Sequence, residues 1–110
     1  PASAYFPFEI INISEIHAVA ATDAGAVTLN IERLQGTTAP GGGDDVLITS
    51  FDLKSTANTI VNKSGNLKLT SARTISPNDR LALVVSGVLT NLENVSVSLY
   101  CKFLGRGDYY

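Results

Sequence analysis

The sequence predicts an all-β protein, an antiparallel β-sandwich of jelly-roll type with about eight strands, and three observations support this prediction. The 110 residues include ten Thr, nine Val, eight Ile and eight aromatic residues, the types that favour pleated strands over helix. Short segments in which apolar and polar residues alternate are separated by turn signals at roughly ten-residue spacing, as in sandwiches and barrels. No amphipathic helix of useful length interrupts them.

The N-terminal part is predicted to begin with an extended arm over about residues 1–13. The apolar stretch 6–13 contains Pro7, which strands tolerate only at an edge or at their first residue, so we interpret the stretch as an arm and not as a central strand. Two strands are predicted next, at residues 16–21 and 27–34, with a short glycine-containing connection of hairpin length between them.

The middle of the chain combines a long loop with less regular strands. Residues 35–45 contain four glycines, a proline and no aromatic or branched aliphatic residue, which indicates a loop. Residues 46–54 predict one strand with Leu47, Phe51 and Leu53 on the same face. Shorter strands at 59–62 and 67–70 flank a further hairpin-like turn.

The C-terminal part contains the clearest strand. The turn sequence at residues 76–79, Ser-Pro-Asn-Asp, leads into a strand at 80–86. The last strand alternates over nine residues, and its inward row consists of Val95, Val97, Leu99, Cys101 and Phe103. The chain is predicted to form one domain, residues 1–110, that ends in a short tail at about residues 105–110.

The composition excludes several classes of partner and cofactor. Only 16% of the residues are charged and the formal net charge is -2, so we expect no nucleic-acid or anionic-membrane partner. No apolar run reaches the length of a membrane span, and the N-terminus lacks the pattern of a signal peptide, which predicts synthesis in the cytoplasm. With one cysteine and one histidine, we expect no disulfide framework, no metal site and no cofactor.

Candidate catalytic residues are few, and each has a simpler interpretation. His17 could act as a general base, but no nucleophile motif accompanies it. Cys101 is interpreted as a small buried apolar residue. Asp44 and Asp45 follow three glycines without the spacing of a calcium loop. Four carboxylates are interpreted as solvated residues of strand edges and turns: Glu9, Glu15, Glu32 and Glu93. No catalytic residue is therefore predicted.

The aromatic residues are concentrated at the two chain ends. Five of the eight lie within ten residues of an end, namely Tyr5, Phe6, Phe8, Tyr109 and Tyr110. Aromatic side chains dominate interface energetics, and interface cores are depleted of charge. These five residues are therefore candidates for contact with a neighbouring subunit or a larger partner, although the ends could equally fold back onto their own domain. The tripeptide at 106–108, Arg-Gly-Asp, is interpreted as part of a flexible tail.

Three stretches carry a resemblance to a known family: IHAVAATDAGAVTLNIE at 16–32, SPNDRLAL at 76–83, and the Ala-Pro-Gly-rich loop that leads into VLITSFDL at 46–53. They resemble small β-sandwich proteins of tailed-bacteriophage virions, of the head decoration or cement type. The resemblance implies a protein that binds the major capsid protein on the outer surface of the head, commonly as a homotrimer, and stabilises the shell without enzymatic activity.

Two other functions remain open from the sequence. The chain could be the receptor- or carbohydrate-binding tip of a phage fibre or spike, with a glycan near Tyr100 or the 41–43 loop. It could also be a hydrolase that uses His17.

Overall fold

The structure is a computed structural model that describes residues 7–68 and 73–103. This part forms two antiparallel sheets of four strands each, which confirms the predicted all-β sandwich. The strands are β1 (Phe8–Ile16), β2 (Thr28–Leu34), β3 (Asp44–Asp45), β4 (Phe51–Asp52), β5 (Val61–Asn62), β6 (Thr74–Ile75), β7 (Arg80–Ser86) and β8 (Ser96–Phe103). A single 3-10 turn at Ser64–Asn66 follows β5.

The two sheets share one layout. In the first sheet β1 lies in the middle, with β8 along one side and the short strands β5 and β6 along the other. In the second sheet β2 lies in the middle, with β7 along one side and the short strands β3 and β4 along the other. Each central strand therefore has one long partner and two short ones.

The connections that join the two sheets run beside each other. The segment between β1 and β2 is bonded to the segment between β7 and β8, because the amides of Ala18 and Val19 donate to the Glu93 carbonyl and the Thr22 amide donates to the Thr90 carbonyl. The first strand thus pairs with the last and the second with the last but one, as in a jelly roll. As a consequence, β7 and β8 lie on the same side of the sandwich.

The core fills the side of the sandwich that the short strands cover. Its buried members are Ile10, Ile13, Ala21, Val27, Leu29, Ile31, Val46, Leu47, Phe51, Leu53 and Ile75. Fully burying a side chain of this kind stabilises the fold by roughly 1.5–3 kcal/mol. Among the described residues none of these core members belongs to β7 or β8, which contribute only half-buried side chains such as Leu81 and Val97.

A bulge in β1 allows apolar residues that do not alternate regularly to pack into the core. The register with β8 shifts between Ile10 and Asn12, so that Ile11 is left out of the pairing and is 45% exposed. An extra residue in one strand resets its alternation. Ile10 and Ile13 are three positions apart, yet both are fully buried on the same face.

The predicted N-terminal arm differs from the structure over residues 8–13. These residues belong to β1, the central strand of the first sheet, and are bonded to neighbours on both sides. The interpretation as an arm was wrong here because Pro7 precedes the strand, where its missing N–H removes no ladder bond. Residues 1–6 of the predicted arm and the predicted tail at 105–110 lie outside the described residues.

Two other predicted strands are interrupted. Residues 17–21 leave the first sheet and cross to the second, with only a single bridge between Val19 and Glu93. In the predicted strand 46–54, Val46 and Leu47 are adjacent and both fully buried, which simple alternation forbids. The Val46 amide bonds β2 at the Ile31 carbonyl, and Leu47 bridges to Leu67, so only Phe51–Asp52 remains as strand β4.

Replacing Gly87 with alanine is expected to destabilise the fold by about 1–3 kcal/mol from its backbone conformation alone. Gly87 directly follows β7 and has φ +102°, and a Cβ there would lie 2.3 Å from the Ala26 carbonyl oxygen. Gly25→Ala is the matched control, since a Cβ at Gly25 would meet no atom within 4 Å. Urea denaturation measures both variants, and equal stability of the two would contradict the strain at Gly87.

Candidate docking surface

The apolar row of β8 faces the interior of the sandwich. Leu99 lies opposite Ile13 and Cys101 lies opposite Ile10 in the antiparallel register. Opposite residues of such a pair point to the same face of the sheet, and both isoleucines are fully buried in the core. The predicted inward direction of the last strand's apolar row is therefore confirmed.

The apolar row of β7 has the same orientation on the second sheet. Leu83 lies opposite Ile31 and Val85 lies opposite Leu29. Ile31 and Leu29 are buried core residues, so the side chains of Leu83 and Val85 also point to the interior face. The inward rows of β7 and β8 thus belong to the same side of the sandwich.

These inward-facing side chains are nevertheless exposed. Leu83 is 59% exposed, Val85 42%, Leu99 38% and Phe103 68%, and Cys101 is exposed as well. The prediction that Cys101 is buried was therefore wrong, because no described element packs over this side as the short strands do over the other. We call the surface made of Leu83, Val85, Leu99, Cys101 and Phe103 the open side.

The open side lies within a region that is unusually apolar and uncharged for a surface. Of the twelve large apolar side chains that are exposed among the described residues, eight lie between residues 83 and 103. The whole stretch 81–101 contains a single charged residue, Glu93. Contiguous exposed apolar surface is rare on monomeric proteins and marks interaction sites.

The described part of the chain begins and ends at the same end of the first sheet, beside the open side. Phe8 lies opposite Phe103 at the end of the β1–β8 pair, and their rings make an edge-to-face contact with centroids 6.4 Å apart. Phe8 is half-buried, whereas Tyr5, Phe6, Tyr109 and Tyr110 lie outside the described residues. In the sequence, the other four candidate contact residues lie within seven residues of Phe8 or Phe103.

A buried polar cluster surrounds the histidine. His17 directly follows β1 and is fully buried, as is Glu15 at the end of that strand. The His17 Nδ1 donates to Glu15 Oε2 at 2.7 Å, and Nε2 donates to the Ser55 backbone carbonyl at 2.9 Å. Both ring nitrogens face acceptors, an arrangement that favours the imidazolium form paired with the carboxylate.

The charge state of His17 follows from opposing effects. Burial lowers the pKa of the imidazole, whereas the hydrogen bonds to the Ser55 carbonyl and the Glu15 carboxylate raise it, and the carboxylates of Glu15 and Asp52 raise it further. The balance places the pKa of His17 above its ordinary value of 6.5. A catalytic base needs a ring nitrogen free to accept a proton, and here both nitrogens are engaged in a solvent-free position.

Ser55, whose backbone carbonyl bonds this ring, does not form a nucleophile pair with it. Ser55 meets His17 through its backbone carbonyl, while its Oγ has no hydrogen-bond partner among the described residues. A serine nucleophile requires its hydroxyl beside the base. The geometry is that of a buried structural pair that fastens the end of β1 to the segment after β4.

The carboxylates interpreted as solvated divide into two groups. Glu15 and Glu32 are buried, so that interpretation was wrong for both. Glu32 Oε1 accepts the Gly41 amide at 2.7 Å, which secures the glycine-rich loop over β2. Glu93 is exposed as expected, and Glu9 forms an ion pair with Arg73 at 2.6 Å.

Neither the predicted loop acid pair nor any other described cluster resembles a metal site. The Asp44 carboxylate is held by Arg33 at 2.6 Å, and Asp44 and Asp45 form the short strand β3. Within residues 7–68 and 73–103, no group of three or more His, Cys, Asp or Glu side chains is close enough to hold a metal ion. No helix in that part of the chain is long and apolar enough to cross a membrane.

Comparison of the chain with protein-family models, with curated proteins and with solved structures finds no match. The open side, which sequence reasoning missed, was nevertheless signalled in the sequence. The stretch 81–101 combines strand alternation with a single charge, and a fully solvated pair of edge strands carries more charge than this.

Proposed function

We propose that the chain is a decoration, or cement, protein of a tailed-phage head. In this role it is a homotrimer that binds the major capsid protein on the outer surface of the shell, after synthesis in the host cytoplasm. Its action is mechanical, because contacts made only with the closed shell stabilise that shell by mass action. The observation that carries the proposal is an uncharged, exposed apolar surface at whose margin Phe8 and Phe103 meet.

The environments of the single histidine and the single cysteine support binding over catalysis. The chain's one histidine is used in a buried pair with Glu15. Its one cysteine is exposed, but partial desolvation raises the pKa of its thiol, so it lacks the lowered pKa of a catalytic cysteine. A protein that only binds needs neither group for chemistry.

The chain ends are the part proposed to contact the shell. Phe8 and Phe103 meet at one end of the first sheet. Tyr5, Phe6, Tyr109 and Tyr110 are near them in sequence and are proposed to contact one neighbouring surface. Aromatic residues are enriched among the few residues that carry most of the binding energy of an interface.

Serine substitutions at the chain ends test this assignment. The double variants Tyr5→Ser/Phe6→Ser and Tyr109→Ser/Tyr110→Ser are expected to bind purified heads at least about tenfold more weakly, since each lost anchor costs roughly 1–2 kcal/mol. Deletions should stop at residue 6, because residue 8 already belongs to β1. Occupancy is measured by imaging particles assembled with and without the protein.

Tyr100→Ser is the matched control, because Tyr100 is a half-exposed aromatic on the outer row of β8. Head occupancy should be unchanged in this variant. Undiminished occupancy of both end variants would contradict the role of the chain ends, and absence of the protein from the head surface would contradict the decoration function. Loss of host-cell or glycan binding in Tyr100→Ser would instead favour the receptor-binding tip.

A further inference from the structure

We infer that the open side, formed by the inward rows of β7 and β8, is the surface through which copies of this chain bind one another. The inference rests on the self-association proposed above and adds the surface that mediates it. Its first support is that Leu83, Val85, Leu99 and Phe103 point to the interior of the sandwich and are still 38–68% exposed.

The size of this surface suits a specific interface. Besides the open side, the connection between β7 and β8 exposes Val88, Leu89 and Val95. Seven large apolar side chains exposed to this degree amount to several hundred Å², approaching the roughly 800 Å² that each partner contributes to a standard interface. A soluble monomer gains nothing from leaving this surface uncovered, because its burial is favourable.

The backbone edges of the same strands support pairing with another chain. β8 is bonded to β1 and β7 to β2, and no described strand pairs with their other edges. Proteins protect free edges with charged residues, bulges or proline. Here the interior of both strands is uncharged, and the only charged residues are Arg80 at the start of β7 and Lys102 near the end of β8.

A second copy of the chain is the occupant that fits these features. A partner recognised by charge would need an opposite charge on this surface, and the stretch 81–101 contains only Glu93. The same surface of another copy brings matching apolar rows and matching unpaired edges, and symmetric self-association uses one surface on every subunit. Around a symmetry axis the open sides would meet and complete one shared core.

Leu83→Lys and Ile48→Lys form a matched pair that tests the inference. Leu83 is 59% exposed on the open side, and Ile48 is 62% exposed outside the region between residues 83 and 103. The full chain is expected to sediment as an oligomer at micromolar concentration, without any viral particle. Leu83→Lys should raise the dissociation constant at least about a hundredfold, because it buries an unpaired ammonium in an apolar contact, whereas Ile48→Lys should leave it unchanged.

The single cysteine supplies a second measurement on the unmodified protein. Cys101 lies on the open side between Leu99 and Phe103, so association should cover its thiol. We expect its reaction with a thiol reagent to slow at least about tenfold as protein concentration rises through the dissociation constant. Circular dichroism verifies that Leu83→Lys is folded, and the thiol measurement decides the question if it is not.

Three results would overturn the inference: a monomeric full chain at high concentration, an unchanged oligomer in folded Leu83→Lys, or a Cys101 reactivity that is independent of concentration. These results differ from a failure of the decoration function. A protein that oligomerises through the open side but is absent from heads contradicts only the proposed function. A protein that occupies heads as a monomer contradicts the surface inferred here and the proposed homotrimer, but not the decoration of the head.

Discussion

Replacing Glu15 with alanine is expected to lower the free energy of unfolding by about 3–5 kcal/mol, the cost of leaving one member of a buried ion pair without its partner. The variant removes the acceptor that His17 Nδ1 contacts at 2.7 Å, in a position where neither side chain reaches solvent. Chemical denaturation at pH 6 measures the difference. Glu93→Ala is the control, because exposed carboxylates away from such pairs change stability by only about 0.5 kcal/mol or less.

The pH dependence of stability separates the ion pair from simple loss of packing. Because the pKa of His17 is raised in the folded chain, the stability that it contributes is fully present below the ordinary pKa of 6.5 and is lost as pH rises through the folded pKa. Wild-type stability should therefore fall as pH rises above 6.5. In Glu15→Gln, which keeps an acceptor but removes the charge, this fall should be smaller. A wild-type stability that does not fall as pH rises above 6.5 would contradict the buried imidazolium.

The strands that could be predicted from sequence are those whose two faces differ in polarity. β8 alternates apolar and polar residues, and the structure places the strand at Ser96–Phe103 with the predicted row inward. β2 alternates in the same way and was also predicted to within one residue. Alternation reports which residues share a face, and this information is local.

Other parts depend on the arrangement of distant segments. Glu15 was interpreted as a solvated residue because nothing near it in sequence reveals that its partner His17 is buried and that the ring also meets the Ser55 carbonyl. Residues 8–13 seemed to be an arm because their nearly continuous apolar character does not alternate. In the structure the bulge at Ile11 resets the alternation of β1, so that Ile10 and Ile13 both face the core.

The open side shows that sequence alternation does not predict whether a side chain is buried. Alternation correctly predicted that Leu99 and Cys101 point inward, but inward direction does not ensure burial. Burial requires a covering layer, and the short strands β3 to β6 supply that layer along one side of each central strand only. The low charge of the whole chain suggested a covered surface, and the structure places most of the exposed described apolar residues at 83–103.

A comparison of two phenylalanines tests this division of the sandwich into a closed and an open side. Phe51→Ala is expected to lower the free energy of unfolding by about 3–5 kcal/mol, because Phe51 is fully buried in the core and its removal leaves a cavity. Phe103→Ala removes the same atoms from a side chain that is mostly exposed and contacts Phe8 edge to face. Its cost in the monomer should be about 0.5–1.5 kcal/mol.

Measuring the destabilisation of both variants at several protein concentrations shows whether Phe103 is covered by a second copy. At concentrations where the chain is monomeric, Phe51→Ala should be the more damaging by at least about 2 kcal/mol. If Phe103 is covered by a second copy, its loss should become more costly as protein concentration rises, because association stabilises the folded state by mass action. The cost of Phe51→Ala should not depend on concentration in this way, since its contacts are complete within one chain. Equal costs at low concentration would contradict the open side itself, and a Phe103→Ala cost that is constant across concentrations would contradict its coverage by another copy.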